Sequence, residues 1–321
     1  MKKLFLPAFI AVVTITALFF VNFGDSEKTQ NKKTDFNVGV LAYLGTDEKD
    51  FQNGLDSFRN FAADNEELLK DDFVNSLVQN RRVVHFYDSL MALVMDLKSG
   101  KLDEIILPEE VGRYLIKNNN SFRGFASTGI LTSGVSFGFR EDSAELMDEV
   151  NEILSGMKAD GTLEKFGAKY VAVSSKDRDP EPVRPVKIKD APEIKIAVTG
   201  DMPPIDMFAG DGNPTGYNTA VLAELGRRLN KNIKFINTNA GGRSAALMSG
   251  RADIVFWYRA TKSAIEGDDP FDNLFKDAPE GVILSLPYYS CENEMIIRRN
   301  DNKSFFGAFS SEKEKGKERE N

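Results

Sequence analysis

Two stretches of the chain, LKSGKLDEIILPEE at 97–110 and LMSGRADIVFWYRA at 247–260, follow one plan. Each ends a helical face on leucine, passes through Ser-Gly-basic, places an aspartate two residues later and enters an apolar run. Glycine at that point suits the left-handed turn that closes a helix, and the short apolar run suits a buried strand. The same helix–turn–strand unit is therefore built twice, with different residues after each strand. Around each copy, strand-like and helix-like segments alternate. Strands separated by single helices imply an α/β lobe with a mainly parallel sheet, so two such lobes are expected.

The first half opens with the strand FNVGVLAYL, a Gly45-Thr46-Asp47 turn and a charged helical region reaching about Asn80. RRVVHFY is a second strand, and Asp88 or Ser89 caps a helix whose apolar face is Leu90, Leu93, Val94 and Leu97. DEIIL is a third strand, EEVGRYLIKNN a short helix and GVSFGF a further strand. A helix from about Ser143 to Ala159 follows, broken at Asp160-Gly161. The proline-bearing stretch 176–193 reads as a semi-rigid linker. The pattern then restarts with IKIAVTG, a GDGNPTG hairpin loop, a helix from about Thr219, IKFIN, a short helix ending at Gly250, and DIVFWY. GVILSLPYY and ENEMIIRR complete it, ahead of a charge-rich tail at 301–321 that is expected to be disordered. The segments of interest are thus 36–175 and 194–300.

With 321 residues, 41% of them apolar, there is material for two globular lobes. A net charge of −8 with interleaved basic residues argues against nucleic acid. One cysteine, Cys291, excludes an internal disulfide framework and a cysteine zinc site, and one histidine, His85, disfavours a histidine metal site. No metal and no cofactor is expected. At the N-terminus, two lysines precede an apolar run from Leu4 to Phe23 that turns sharply polar. This reads as an export signal or an uncleaved membrane anchor over 1–24, placing the rest of the chain in the periplasm or on the outer face of the cytoplasmic membrane.

Ligands of parallel α/β sheets gather at the carboxyl ends of the strands. That directs attention to Pro108-Glu109 and to Trp257-Tyr258-Arg259. The Arg259 guanidinium can hold a carboxylate in two-pronged fashion, with Trp257 and Tyr258 as a ligand wall or as core. Glu109 is either a cleft carboxylate or a solvated helix start. GVSFG at 134–138 matches the G-x-S-x-G nucleophile pattern, but its alternation is that of a strand and His85 precedes Ser136, so a hydrolase is not supported.

The stretch IKIAVTGDMPPID…DGNPTGYNTAVLAELGRRLNKNIKFI…GGRSAALMSGRADIVF…LPYY resembles the first lobe of bacterial extracellular solute-binding proteins, family 3, the amino-acid type that feeds ABC transporters. VGVLAYLGTDE…VVHFYDSLMALVMDLKSGKLDEIIL…GVSFGFREDSAELMDEVNEILSGMKADGTLEKFGAKYV resembles their second lobe and terminal helices. The resemblance implies a type II periplasmic-binding-protein-like clamp, with mainly parallel sheets, that closes on a small polar solute, an amino acid or related carboxylate. It also implies a membrane permease as partner and a monomer. In the family the lobes come in the opposite order, so a circular permutation is inferred, with two degenerate modules in tandem as the alternative.

In the family, the loop matching Gly45-Thr46-Asp47 binds the ligand carboxylate. Thr46 can still do so, Asp47 would repel an anion unless it is only a helix cap, and Tyr43 could reach the cleft. The family's amine-binding aspartate falls on Pro108, beside Glu109, and Met202 stands where an aromatic wall is common. Phe208 is a further aromatic candidate. Arg259 precedes the family's carboxylate-binding arginine position, which here is Ile265. A ligand-sensing or scaffold protein at the membrane is the alternative function. A periplasmic dehydratase-like enzyme using Glu109 is a remoter one, and the chain is not expected to be an enzyme.

Overall fold

The computed structural model of the chain describes residues 35–41, 48–66, 69, 78–127, 133–172, 181–259, 278–291 and 294–300. The export segment at 1–24, the tail at 301–321 and the candidates Tyr43, Thr46 and Asp47 lie outside these residues, as do the side chains of Tyr258 and Arg259.

The first half contains β1 (Asp35–Leu41), α1 (Glu48–Ala63), β2 (Arg81–Tyr87), α2 (Leu90–Ser99), β3 (Glu104–Pro108), α3 (Glu109–Lys117) and β4 (Phe122–Ser127). Then come β5 (Ser133–Arg140), α4 (Ala144–Ala159), α5 (Thr162–Phe166) and a π-helical turn at Gly167–Ala172. The second half contains β6 (Glu193–Val198), the hairpin β7 (Met207–Phe208) and β8 (Pro214–Thr215), α6 (Tyr217–Arg228) and β9 (Asn232–Asn237). It continues through α7 (Arg243–Met248), β10 (Ile254–Arg259), β11 (Val282–Leu284), β12 (Tyr289–Cys291) and β13 (Glu294–Arg299). Among the described residues, no helix is long and apolar enough to cross a membrane.

The repeated units are α2–β3 and α7–β10, and their shared residues do the same structural work in each. Gly100 (φ 82°) and Gly250 (φ 69°) take the left-handed turn after the helix. Asp103 then ties β3 to β1: Asn37 N–H donates to its carboxylate at 2.8 Å, and its own N–H donates to the Asn37 carbonyl at 2.9 Å. Asp253 repeats both bonds on Lys195 of β6, at 2.9 and 2.8 Å. The helix starts are not shared, since α7 begins after Gly242 with no side-chain cap. Ser89 caps α2, accepting from Ala92 N–H at 3.2 Å, and Leu93 and Leu97 bury its apolar face.

Two sheets result, and each takes one strand from the far half of the chain. The first has the order β2-β1-β3-β13-β4, with β1 parallel to β2 and β3, and β13 antiparallel to β3 and β4. The second has the order β11-β5-β10-β6-β9, with β12 also on β5. Here β10, β6 and β9 are mutually parallel, and β5 runs antiparallel to β10. So β5 and the helices after it belong with the second sheet, and β13 belongs with the first. The chain passes between lobes twice, after β4 and after β12. The strand β4 carries glycine and arginine within its run and was not foreseen from the sequence pattern.

From residue 181 on, the proline-bearing stretch has no regular element and lies along the second lobe. Asn232 receives the Ile188 N–H at 2.8 Å and donates to the carbonyls of Ile188 and Ala191, and Val183 packs on the core. Both ends of this stretch therefore belong to one lobe.

A buried charge cluster locks β13 into the first sheet. Arg298 donates to Glu104 Oε2 at 2.7 and 3.0 Å, and Glu104 is fully buried. Arg82 of β2 lies 3.8 Å from the other Glu104 oxygen, beyond hydrogen-bond reach but within that of an ion pair. Both guanidinium groups lie over the Phe36 ring, Arg82 at 5.5 Å and Arg298 at 5.7 Å. Burial depresses the Arg82 pKa and outweighs the attraction of Glu104. Arg299 donates to the carbonyls of Leu97 and Leu102, closing the C-terminus of α2. Removing one member of a buried cluster leaves uncompensated charge. Glu104→Ala is therefore expected to cost roughly 3–5 kcal/mol, read as a lower urea midpoint.

Candidate functional site

The carboxyl ends of the parallel strands in both lobes point to one region, and residues of the two lobes meet there. From the second lobe, the loop after β6 carries Thr199, Gly200 and Asp201. Its shape is set by buried Asp206, whose Oδ2 accepts from the N–H groups of Thr199 and Gly200 and from the Thr199 hydroxyl, at 2.8–3.0 Å. Asn218 donates to the other Asp206 oxygen, Tyr288 donates to Asn218, and Tyr217 donates to the Tyr288 carbonyl, all at 2.7–2.8 Å. A connected and satisfied polar network of this kind holds a loop in one conformation.

Asp201 projects from that loop to the first lobe, where its Oδ1 accepts the Leu90 N–H at the start of α2, at 3.2 Å. Burial pushes its pKa up to about 6, against the lowering effect of the Leu90 N–H; Asp206 raises it further and Arg243 lowers it. Beside this bond, Ala240 N–H donates to the Asp88 carbonyl at 3.4 Å. A β-carbon added at Gly241 would stand 2.8 Å from the Asp88 carboxylate, so glycine is what allows the lobes to approach there.

A second interlobe bond lies on the other side. Tyr289 of β12 donates to Glu110 Oε1 at 3.0 Å. Burial raises the Glu110 pKa, while bonds from Tyr289 and the Cys291 thiol pull the other way. Next to it is a cavity of about 210 Å³ lined by Glu109, Glu110, Arg113, Tyr114, Val171, Ala172 and Pro204. Both lobes contribute to that lining.

The sequence candidates distribute unevenly over this geometry. Glu109 borders the cavity and is ion-paired with Arg113 one turn on, Nε to Oε1 2.7 Å. Met202 is fully buried in the main core of the second lobe. Phe208 is half-buried against Gly200, whose φ of 70° it overlies. Trp257 is only 3% exposed and packs in a smaller cluster with Ala197, Ala246, Leu247 and Val255. The Arg243 guanidinium lies over its ring at 4.5 Å and donates to the Ala240 carbonyl at 2.9 Å. The backbone of Tyr258 and Arg259 ends β10, opposite Val135 and Gly134.

Asp88, Glu110, Asp201, Arg243 and Tyr289 were not singled out from the sequence as site residues, Asp88 being read only as a possible helix cap. Three of them had a usable signal, since Asp88, Glu110 and Asp201 stand within three residues of a strand's carboxyl end. Ser136, the centre of the G-x-S-x-G match, is buried mid-strand opposite Trp257, while His85 lies in the other sheet, 3.0 Å from the Asn37 side chain. Among the described residues, no group of three His, Cys, Asp or Glu side chains is placed to hold a metal ion.

Residues 194–262, which run from β6 through the α7–β10 unit, match the family model of bacterial extracellular solute-binding proteins, family 3. The match covers that segment of the second lobe. A curated relative, the probable ABC transporter extracellular-binding protein YckB of Bacillus subtilis (strain 168), is 28% identical over 118 residues. That alignment takes in 36% of this chain and 37% of the relative, so the chain spans about a third of the relative's length. Among solved structures, the chain is similar to the zinc-bound ligand-binding component of an ABC-type import system from Staphylococcus aureus. The TM-score is 0.42 at 9% identity, over 87% of this chain and 70% of that one. It is also similar to the substrate-binding domain of a putative molybdenum ABC transporter from Clostridium difficile. There the TM-score is 0.36 at 12% identity, over 83% and 85%. The family match is to binding proteins, not to an enzyme family.

Gly241 gives this interface a direct test. Gly241→Val is expected to cost about 1–3 kcal/mol of the apposed state and to raise the radius of gyration in solution scattering, with helix content unchanged by circular dichroism.

Proposed function

We propose that this protein is an exported family 3 solute-binding protein that captures a small polar solute, an amino acid or related carboxylate, between its two lobes and delivers it to an ABC importer. The observation that carries the reading is the interlobe region itself. Two α/β sheets present their strand carboxyl ends to one another, two polypeptide crossings connect them, and each lobe sends a polar side chain to the other. Such a joint can open without unfolding either sheet, and a ligand that contacts both lobes shifts the balance toward the closed form. The family match over 194–262 and the name of the curated relative support the transport role. The apolar run at Leu4–Phe23 supports export to the periplasm or the outer face of the membrane.

The order of the halves belongs to the same reading. The family-matching lobe follows the other lobe in this chain, and each sheet is completed by a strand from the opposite half, β13 in one and β5 in the other. That pattern favours one circularly permuted clamp over two tandem modules, because a tandem module would complete its own sheet.

In the site, Arg259 at the end of β10 would hold the ligand carboxylate, with Tyr43, Thr46 and Asp47 on the facing loop, Glu109 on the cavity side and Phe208, Trp257 and Tyr258 as surrounding aromatics. Met202 would support the loop from beneath. A thermal-shift screen over amino acids, short peptides and organic acids is expected to return a carboxylate-bearing ligand. Arg259→Ala should then abolish its binding in calorimetry without lowering the melting temperature. Unchanged affinity removes Arg259 from the site.

A further inference from the structure

We infer that α1 stands in for a missing strand: its side chains close the outer edge of β2, and the partner that edge would otherwise accept is the β2 of a second copy of this chain. In the first sheet β2 is the outermost strand, with β1 on one side. The outer edge of such a strand presents main-chain N–H and C=O groups at every second residue, and a row of them is a template for another strand. Here side chains answer the row. Gln52 uses both ends of its amide: Nε2 donates to the Arg82 carbonyl at 3.0 Å, and Oε1 accepts the Val84 N–H at 2.9 Å. One residue of a parallel neighbouring strand would make the same pair of bonds. Glu48 accepts the next outward N–H, that of Phe86, at 2.6 Å.

The contact continues along the helix. Glu48, Gln52, Asp56 and Arg59 follow one another at spacings of four and three residues, so they form a single row on α1. Asp56 holds Arg81 at the start of β2 through two bonds of 2.9 and 2.6 Å. Arg59 donates to the Val78 carbonyl, just before the strand, at 3.0 and 3.3 Å. Beside this row Phe51 and Leu55 are buried, and Phe51 meets Phe86 edge to face at 5.8 Å. Packing alone would favour apolar residues where a helix lies against a strand. The bonds to the strand edge account for a polar row there.

Symmetry and charge identify the partner. The outward residues Arg82, Val84 and Phe86 are centred on Val84. An antiparallel second β2 therefore sets Val84 against Val84 and Arg82 against Phe86, and the pair closes as a twofold dimer. A parallel copy in register would set Arg81 against Arg81 and Arg82 against Arg82, and like charges directly opposite disfavour it. The competition is between a helix of the same chain and a strand of another. The helix prevails because it is already held at the edge by its own chain. The inference concerns the first lobe alone and does not rest on the solute-binding reading.

Sedimentation equilibrium of the full chain and of the double variant Glu48→Ala, Gln52→Ala, over a roughly hundredfold range of concentration, tests this. Wild type is expected to stay monomeric throughout, and the variant to dimerise as concentration rises. Hydrogen exchange at Val84 and Phe86 reports on the edge itself. At the dilute end both amides should exchange about fivefold to tenfold faster in the variant, because each has lost its acceptor. At the concentrated end they should be protected again. Gln52→Met keeps the length and helix propensity of the side chain and removes only its two bonds. It decides the matter if the double variant loses helix content in circular dichroism, with Val84 as the reporter. A variant that stays monomeric over the whole range overturns the inference, as does a wild type that pairs as readily as the variant. A dimer in which Val84 stays unprotected, or a dilute variant whose Val84 exchanges at the wild-type rate, overturns it equally.

Discussion

The pairing of β13 between β3 and β4 is the constraint on which the molecule's form depends. A strand from the far half of the chain fills the gap in a sheet laid down by the first half, with Glu104 and Arg82 buried and Arg298 half-buried around it. A hydrophobic strand could fill the same gap at lower desolvation cost. What the charges add is selectivity of register, since only one alignment brings Arg298 to Glu104 and Arg299 to the end of α2. Because β12 must remain on β5 while β13 enters the other sheet, this one pairing also sets where the lobes can separate.

Around that joint the two lobes treat charge differently. Inside the first lobe, buried charge is balanced by an opposite charge and an aromatic ring. Between the lobes, Asp201 and Glu110 accept hydrogen bonds from the opposite lobe, and burial raises their pKa values. The polar network of Asp206, Asn218, Tyr217 and Tyr288 lies inside the second lobe and is internally hydrogen-bonded. It gives the Asp201 loop a fixed base, so that the variable part of the contact lies at the lobe boundary.

Local pattern in the sequence carried much of the fold. Gly100 and Gly250, Ser89 at its cap and the apolar face of α2 were readable because their causes lie within a few residues of one another. The repeated aspartates were visible as a motif, while their task, bonding to Asn37 and Lys195 of a neighbouring strand, required knowing which strands pair. The crossings were harder for the same reason. Nothing near Ser133–Arg140 says that this strand will join β10, because strand partners are chosen by long-range topology. The site was only partly readable. Looking just after strand ends found Glu109 beside the cavity, yet passed over Glu110 next to it and Asp201 next to Met202, whose side chain turns into the core.

The central claim is that one clamp, with its halves in exchanged order, is stitched together by two crossings. In the first sheet β3 separates β1 from β13, and the start of one and the end of the other lie at the same edge, about 10 Å apart at ordinary strand spacing. A chain rearranged into the family's order, with 181–300 first and joined by a short linker to 35–180, therefore needs no new contacts. The most direct measurement is its urea unfolding beside that of the present chain. One cooperative transition at a matching midpoint is predicted; a chain that fails to fold, or that unfolds as two independent modules, would contradict the account.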